Sequence, residues 1–237
     1  MPNTPYWEKY KDNKEGIVLL RDNTPQPMIH FLPSYMRKHG ITNTDLQKLT
    51  NGQCNNVSDS YVNGMKVLER DITCKNGYIH KVDGVMMSAD NMANIINNHP
   101  LMSTYASLLN RFSAPYYDAS ATATYNRLYN NTDSVFVLRY FAENSAVGNL
   151  ATDPDGQTVD AQLMYDPGWN EYIYSNTAGY DLHYDAGAML VPTNKALENW
   201  WNGAGKVIQD MYGSWENVPM KVLVKLLNLN MINAFSE

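Results

Sequence analysis

Eight carboxylates lie in a stretch of the sequence, between Arg139 and Lys195, that contains no lysine or arginine. They are Glu143, Asp153, Asp155, Asp160, Asp166, Glu171, Asp181 and Asp185. Two carboxylates about 5 to 10 Å apart can hydrolyse a glycosidic bond. Eight acids on a loop meet that spacing by chance, and nothing in the sequence marks one of them as buried or paired. A solvated acidic loop is the favoured interpretation, and a glycan hydrolase that uses two acids of residues 153–185 is the enzymatic alternative.

The same stretch is rich in aromatic residues, namely Tyr165, Trp169, Tyr172, Tyr174, Tyr180 and Tyr184. Exposed rings can stack on the apolar faces of sugars, and neighbouring carboxylates can accept hydrogen bonds from sugar hydroxyls. Alternatively, the rings pack against the core of their own domain, which is the favoured interpretation for most of them. The residues predicted to bind a ligand are Trp169, Tyr172, Tyr174, Asp166 and Asp181.

Motifs for other chemistries are incomplete. Residues 202–206 resemble part of a phosphate loop, and residues 153–160 resemble part of a calcium loop, but each lacks an essential ligand. Neither Cys54 nor Cys74 has a histidine near it in sequence that would indicate a nucleophile, and the five histidines are scattered. We therefore expect no catalytic residue, no metal and no cofactor. Whether the two cysteines are bridged stays open.

Composition indicates a folded chain with one or two domains. Of 237 residues, 44% are hydrophobic and only 18% are charged, which excludes a wholly disordered chain. The longest apolar run, residues 218–232, is interrupted by lysines and is too short to cross a bilayer. A net charge of −6 argues against nucleic acid as a partner. The charge is net positive up to Ser88 and strongly negative from Ala89 onward, so two different segments are joined there.

The first segment has the pattern of a small antiparallel sheet. The dipeptides Asn63-Gly64 and Asn76-Gly77 predict two hairpin turns between residues that favour strands. Ile79, Val82 and Val85 are the expected inward anchors of that sheet.

Helices are predicted before and after this sheet in the sequence. Thr42 with Asp45 predicts a capped helix through Leu49, and Pro33 interrupts a helical pattern from Met28 to Met36. From Ser88 onward the hydrophobic period changes from two residues to 3.6. The predicted starts of the later helices are Asp90, Pro100, Thr193 or Asn194, and Pro219.

Two stretches resemble conserved blocks of the fasciclin domain. Asn76-Gly-Tyr-Ile-His-Lys-Val-Asp-Gly-Val-Met86 is similar to the second block, Asn-Gly-x-Ile-His-x-Ile-Asp-x-Val-Leu. Ala188-Met-Leu-Val-Pro-Thr-Asn-Lys-Ala-Leu197 is similar to the first block, Thr-x-Phe-x-Pro-Thr-Asn-x-Ala-Phe. The residues that carry the motifs are Asn76, Gly77, His80, Asp83, Pro192, Thr193 and Asn194.

The two blocks occur in reverse order, because a complete fasciclin domain has the first block before the second. The resemblance therefore implies that residues 1–88 are the C-terminal half of one domain and residues 89–237 the N-terminal half of the next. It implies an α+β fold in which a β-wedge is flanked by short helices, as two partial copies or as one permuted unit. Half-domains expose sheet edges and apolar faces, so we expect the halves to dock on one another, within one chain or between two.

The resemblance also implies a function. It indicates a non-enzymatic, extracytoplasmic adhesion or ligand-binding module of the kind found in multi-domain cell-envelope lipoproteins, at the outer-membrane surface or outside the cell. Glycan capture, or service to an outer-membrane nutrient-import system, is its expected role. The expected partners are a polysaccharide, a peptide or a surface protein, with membrane attachment only through an upstream lipid anchor. A purely structural spacer in a surface assembly is the remaining alternative.

Overall fold

The computed structural model describes residues 4–10, 12, 15–21, 30–86, 90–145, 148–168 and 187–232. It divides the chain into two compact units. The small unit is residues 25–89, and the large unit is residues 1–24 together with residues 90–237. Both contain helices and strands, which confirms the α+β class.

Short elements make up both units. The helices are α1 (Pro33–Lys38), α2 (Asn43–Leu49), α3 (Met92–Asn98), α4 (Ser103–Asn110), α5 (Ala119–Tyr129), α6 (Asn194–Asn202), α7 (Lys206–Tyr212) and α8 (Met220–Asn228). The strands are β1 (Ile17–Leu20), β2 (His30–Phe31), β3 (Tyr61–Val62), β4 (Met65–Cys74), β5 (Gly77–Val82), β6 (Ser113–Tyr117), β7 (Ser134–Tyr140), β8 (Ala142–Asn144), β9 (Leu163–Tyr165), β10 (Ala188–Met189) and β11 (Met231–Ile232).

The boundary between the units lies where the charge changes sign, near residue 88. The first 24 residues, however, belong to the large unit and not to the segment that follows them. The reason is strand pairing: β1 lies parallel to β7, with Ile17 opposite Ser134 and Leu20 opposite Val137. Whether each unit represents half of a fasciclin domain stays a prediction.

The small unit has an antiparallel sheet with strand order β2-β3-β4-β5. Asn63 and Gly64 both have positive φ, 47° and 80°, and form the predicted two-residue turn between β3 and β4. The second turn is one residue earlier than predicted. Gly77 already pairs with Cys74, so the loop between β4 and β5 is Lys75–Asn76.

The hairpin of β4 and β5 is more exposed than its sequence predicts. Ile79 is 55% exposed and Val85 is 80% exposed, so their prediction as inward anchors is wrong, whereas Val82 is half-buried. The core of the small unit is formed mainly by side chains of helices α1 and α2 and of strand β3, and not by the β4–β5 hairpin. Its buried residues are Met36, Leu46, Cys54 and Tyr61. Cys54 and Cys74 are both free thiols.

Helix α2 begins with the capping box that the sequence predicts. The Thr42 hydroxyl accepts a hydrogen bond from the Asp45 backbone N–H at 3.3 Å, and the Asp45 carboxylate accepts one from the Thr42 N–H at 2.9 Å. Helix α1 starts at Pro33, where the missing N–H of proline has no cost. Of the helical pattern predicted from Met28 to Met36, the described residues His30–Phe31 are strand β2, and helix begins at Pro33.

We predict that Thr42→Ala lowers the free energy of unfolding of the small unit by about 1 kcal/mol near neutral pH. Hydrogen bonds from Thr42 hold the pKa of Asp45 below its ordinary value. The Asp45 carboxylate therefore contributes stability above its unfolded pKa, and this contribution is lost as pH falls through the folded pKa. Urea denaturation should show the difference between Thr42→Ala and wild type shrinking as the pH falls below about 4, the ordinary pKa of aspartate. A difference of equal size at neutral pH and at low pH would contradict the role of the carboxylate. Asp45→Asn, whose side chain does not titrate, is the control.

The large unit contains a three-stranded sheet and the larger core. Its strand order is β1-β7-β6, with β6 antiparallel to β7. Helix α4 buries Tyr105, Leu108 and Leu109 in this core, whereas Leu101 precedes that helix in a 3-10 turn and is exposed. Helices α3, α6 and α8 complete the core around these side chains.

The helical segment predicted to start at Thr193 or Asn194 is two helices, α6 and α7. Thr193 caps α6 by accepting a hydrogen bond from the Ala196 N–H at 3.2 Å. The chain then turns at Gly203–Gly205 and continues as α7. An added Cβ at Gly205 would lie 2.5 Å from the Trp200 ring, so a side chain there would collide with the indole. At the earlier helix α3 the cap is Asn91 rather than Asp90, because the Asn91 side chain accepts from the Asn94 N–H at 2.8 Å.

Candidate functional site

The ligand-binding residues predicted from the acidic, aromatic stretch are mostly outside the described residues. Trp169, Tyr172, Tyr174 and Asp181 all lie there, so their role stays a prediction. Of the predicted set, the structure describes Asp166.

Asp166 lies in the interior and not on an exposed face. It is 1% exposed, and its two carboxylate oxygens accept hydrogen bonds from the Tyr140 N–H at 3.2 Å and the Gly168 N–H at 2.8 Å. Asp166 therefore serves the backbone at the end of β7 as a buried acceptor, and its predicted role in ligand binding stays a prediction. Nearby Tyr165 is also buried and donates to the Ala188 carbonyl at 2.7 Å, as expected of a ring that packs its own core.

Three acids that follow β8 in the sequence, Asp153, Asp155 and Asp160, form hydrogen bonds or ion pairs with other residues of the protein. Asp153 closes a turn by accepting hydrogen bonds from the backbone N–H groups of Asp155 and Gln157, at 3.0 and 2.8 Å. Asp155 lies 3.6 Å from Lys9, and Asp160 lies 3.2 Å from Lys221. The hydrogen bonds of Asp153 are those of an ordinary Asp/Gly turn. Among the described residues, no group of three or more His, Cys, Asp or Glu side chains is arranged to hold a metal ion.

The second-block motif residues stabilise the β4–β5 hairpin. Asp71 has a φ of 61°, and the strand register shifts by one residue between Glu69 and Ile72, which marks a β-bulge. The ring Nδ1 of His80 accepts a hydrogen bond from the Asp71 N–H at 3.2 Å. Asp83 accepts from the Lys66 N–H at 2.9 Å and closes the end of the hairpin.

The first-block motif residues connect α6 to the start of α4. The Asn194 side chain accepts from the Thr104 N–H at 2.9 Å and donates to the Pro100 carbonyl and the Ser103 hydroxyl, each at 3.0 Å. Pro192 lies beside this junction, on the wall of an open apolar cavity of about 730 Å³. The other residues of that wall are Met92, Ile95, Ile96, Met102, Met189, Leu190 and Val191.

The small unit contains two adjoining cavities that the sequence does not reveal. The first, of about 420 Å³, has an aliphatic wall with His30, Asp71 and His80 at its polar side. The aliphatic residues are Leu32, Val62, Val67, Val82 and Met86. The second, of about 560 Å³, is mostly polar and includes Arg37 and Asp59. Its hydroxyl groups belong to Ser34, Ser58 and Ser60.

Four residues line both cavities of the small unit, namely Leu32, Ser60, Val67 and Arg70. Arg70 directly precedes the bulge at Asp71, and its Nε lies 3.9 Å from the Asp71 carboxylate. A bulge redirects the side chains next to it, and for this reason alternation along β4 does not predict which of them line a cavity. No motif in the sequence could have identified the pair of cavities.

Comparison with known families identifies the small unit. The family model of the fasciclin domain matches residues 27–88, about a quarter of the chain. This segment is similar to fasciclin domains. The match covers nearly all of the small unit and includes the second-block motif at residues 76–86, whereas the resemblance of residues 188–197 to the first block stays a prediction.

Further comparisons add no relative. No curated protein matches the chain, and no solved structure does. Within the described part of the chain, each helix is too short or too polar to cross a membrane.

Proposed function

We propose that this protein is a non-enzymatic adhesion or ligand-binding module that works outside the cytoplasm. The observation that carries the proposal is the coincidence of the fasciclin match, residues 27–88, with the compact small unit, residues 25–89. Fasciclin domains are known for adhesion and ligand binding and are typically extracellular or surface-associated. The transfer of that general role to the small unit rests on family likeness, since a fold does not by itself determine function.

The specific role we propose is glycan capture at the cell envelope, in the service of an outer-membrane nutrient-import system. Support comes from the acidic, aromatic stretch, whose rings and carboxylates suit sugar faces and hydroxyls. A lipid anchor upstream of this segment would place the module on the membrane surface. A peptide or a surface protein is the alternative partner.

Self-association is part of the proposal. The β4–β5 hairpin exposes the large apolar side chains of Leu68, Tyr78 and Ile79, each more than half exposed, and Val85, which follows β5, is 80% exposed. Exposed apolar surface of this kind favours burial against another surface. Sedimentation velocity over a range of concentrations tests for self-association. A protein that stays monomeric at all concentrations would contradict this part of the proposal.

We predict that Trp169→Ala weakens binding to a soluble polysaccharide by about tenfold without lowering the thermal midpoint, because one stacked ring is lost. Isothermal titration against a panel of soluble glycans measures the affinity, and Tyr129→Ala, which removes an exposed ring from α5, is the matched control. Unchanged affinity in Trp169→Ala would eliminate that surface as the binding site.

The same panel separates the alternatives. A hydrolase would release reducing ends from one of the glycans, and Asp181→Asn would abolish the release if that residue is one of the acids. Such a result would overturn the non-enzymatic proposal. A structural spacer would bind none of the glycans.

A further inference from the structure

The two cavities of the small unit adjoin one another and differ in chemistry: one wall is mostly aliphatic and the other is mostly polar. They share Leu32, Ser60, Val67 and Arg70 as a common wall. Their volumes, about 420 and 560 Å³, fall within the range of small-molecule sites. A ligand that occupies both ends must therefore be polar at one end and apolar at the other.

The polar end carries an excess of positive charge. Arg37 and Arg70 both line it, and Asp59 is the acid on its wall. The Asp71 carboxylate, on the wall of the adjoining cavity, lies 3.9 Å from the Arg70 Nε. With Lys66 included, three cations face these two acids, which leaves one positive charge in excess. The Asp59 carboxylate is already bonded to the Lys66 ammonium at 2.7 Å, so its charge is compensated. Guanidinium groups form paired hydrogen bonds with carboxylates, and the hydroxyls of Ser34, Ser58 and Ser60 add donors.

The lining of the apolar cavity suits an aliphatic chain. Its large side chains are branched or linear aliphatic groups, and none of its lining residues is Phe, Tyr or Trp. Sugars are held by flat aromatic faces, which this wall lacks, so a sugar is a poor occupant.

His80 lies at the polar side of the same cavity. Because its Nδ1 accepts a hydrogen bond from the Asp71 N–H, the proton of the neutral ring is on Nε2, which is left to donate.

We infer that this combined cavity binds an aliphatic carboxylate of medium chain length. The carboxylate lies between Arg37 and Arg70, and the chain lies along Val62, Val67 and Val82. The residues of this site are not those of the acidic stretch proposed to capture glycans, and a failure of either proposal leaves the other intact. It makes the fasciclin-type unit a receptor for amphipathic acids.

The first test titrates the whole chain with acetate, butanoate, hexanoate and octanoate by isothermal calorimetry. Affinity should rise by about threefold for each added methylene group, because each one buries apolar surface. Hexan-1-ol should bind at least about tenfold more weakly than hexanoate, and hexylamine more weakly still, since neither offers an anion to the arginines. Absence of octanoate binding at millimolar concentration, or equal binding of hexanol and hexanoate, would overturn the inference.

The second test uses substitutions. Arg70→Gln and Arg37→Gln should each weaken octanoate binding by about tenfold and leave the dependence on chain length unchanged. Val82→Thr keeps the shape of the wall but adds a hydroxyl, and it should weaken octanoate more than butanoate. Arg127→Gln, an exposed arginine of α5 in the large unit, is the matched control and should bind as wild type does. If Arg70→Gln and Arg37→Gln both bind as wild type does while circular dichroism shows them folded, the site is not this cavity.

Discussion

Replacing Asp166 with alanine should lower the free energy of unfolding of the large unit by about 3 to 5 kcal/mol. Its carboxylate is buried and accepts hydrogen bonds from two backbone N–H groups, those of Tyr140 and Gly168. Each hydrogen bond to a charged group contributes about 1.5 to 3 kcal/mol, and alanine would leave both donors without this acceptor. Urea denaturation followed by tryptophan fluorescence measures the loss.

Two substitutions control the Asp166 experiment. Asp160→Ala removes an exposed acid that pairs with Lys221 at 3.2 Å, and it should change the free energy of unfolding by less than about 1 kcal/mol. Asp166→Asn retains one acceptor oxygen and should fall between wild type and Asp166→Ala. If Asp166→Ala were as stable as wild type but bound glycans more weakly, the carboxylate would have the ligand role that the sequence suggests and not the structural one.

The elements that the sequence predicts correctly are those with local causes. The turn at Asn63-Gly64 needs only two residues that tolerate positive φ, and the cap of α2 needs only Thr42 and Asp45. The fasciclin likeness of residues 76–86 is also a local signal, and the family match at residues 27–88 confirms it.

The features that the sequence does not predict depend on residues far apart in the chain. The pairing of β1 with β7 places the first 24 residues in the large unit, although nothing in those residues specifies their partner. The burial of Asp166 depends on the end of β7, whose backbone donor at Tyr140 requires an acceptor.

The cavity in the small unit is hidden from the sequence for the same reason. Arg37 lies on α1 and Arg70 on β4, and the bulge at Asp71 follows the second of them directly. Neither periodicity nor a motif brings two such positions together. The exposure of Ile79 and Val85 has a related cause, since alternation along a strand does not tell which face a small core will cover.

Replacing Met36 with alanine should unfold the small unit while the large unit stays folded. Met36 is 0% exposed and is one of the four buried apolar residues that form this core, with Leu46, Cys54 and Tyr61. A buried methionine replaced by alanine costs about 2 to 5 kcal/mol, and a unit of this size has only about 3 to 5 kcal/mol of stability from its core. Hydrogen exchange of the whole chain measures the effect unit by unit.

The exchange pattern decides whether the two cores are energetically separate. In Met36→Ala, the Leu46 amide of α2, which donates to the Thr42 carbonyl, should lose its protection, whereas the Leu223 amide of α8 should keep it. Leu68→Ala is the matched control because Leu68 is 55% exposed, and it should change stability by less than about 0.5 kcal/mol. Simultaneous loss of protection at Leu46 and Leu223 would show that the units unfold together. The fasciclin-matching segment would then be part of one cooperative domain and not an independently folded ligand-binding unit.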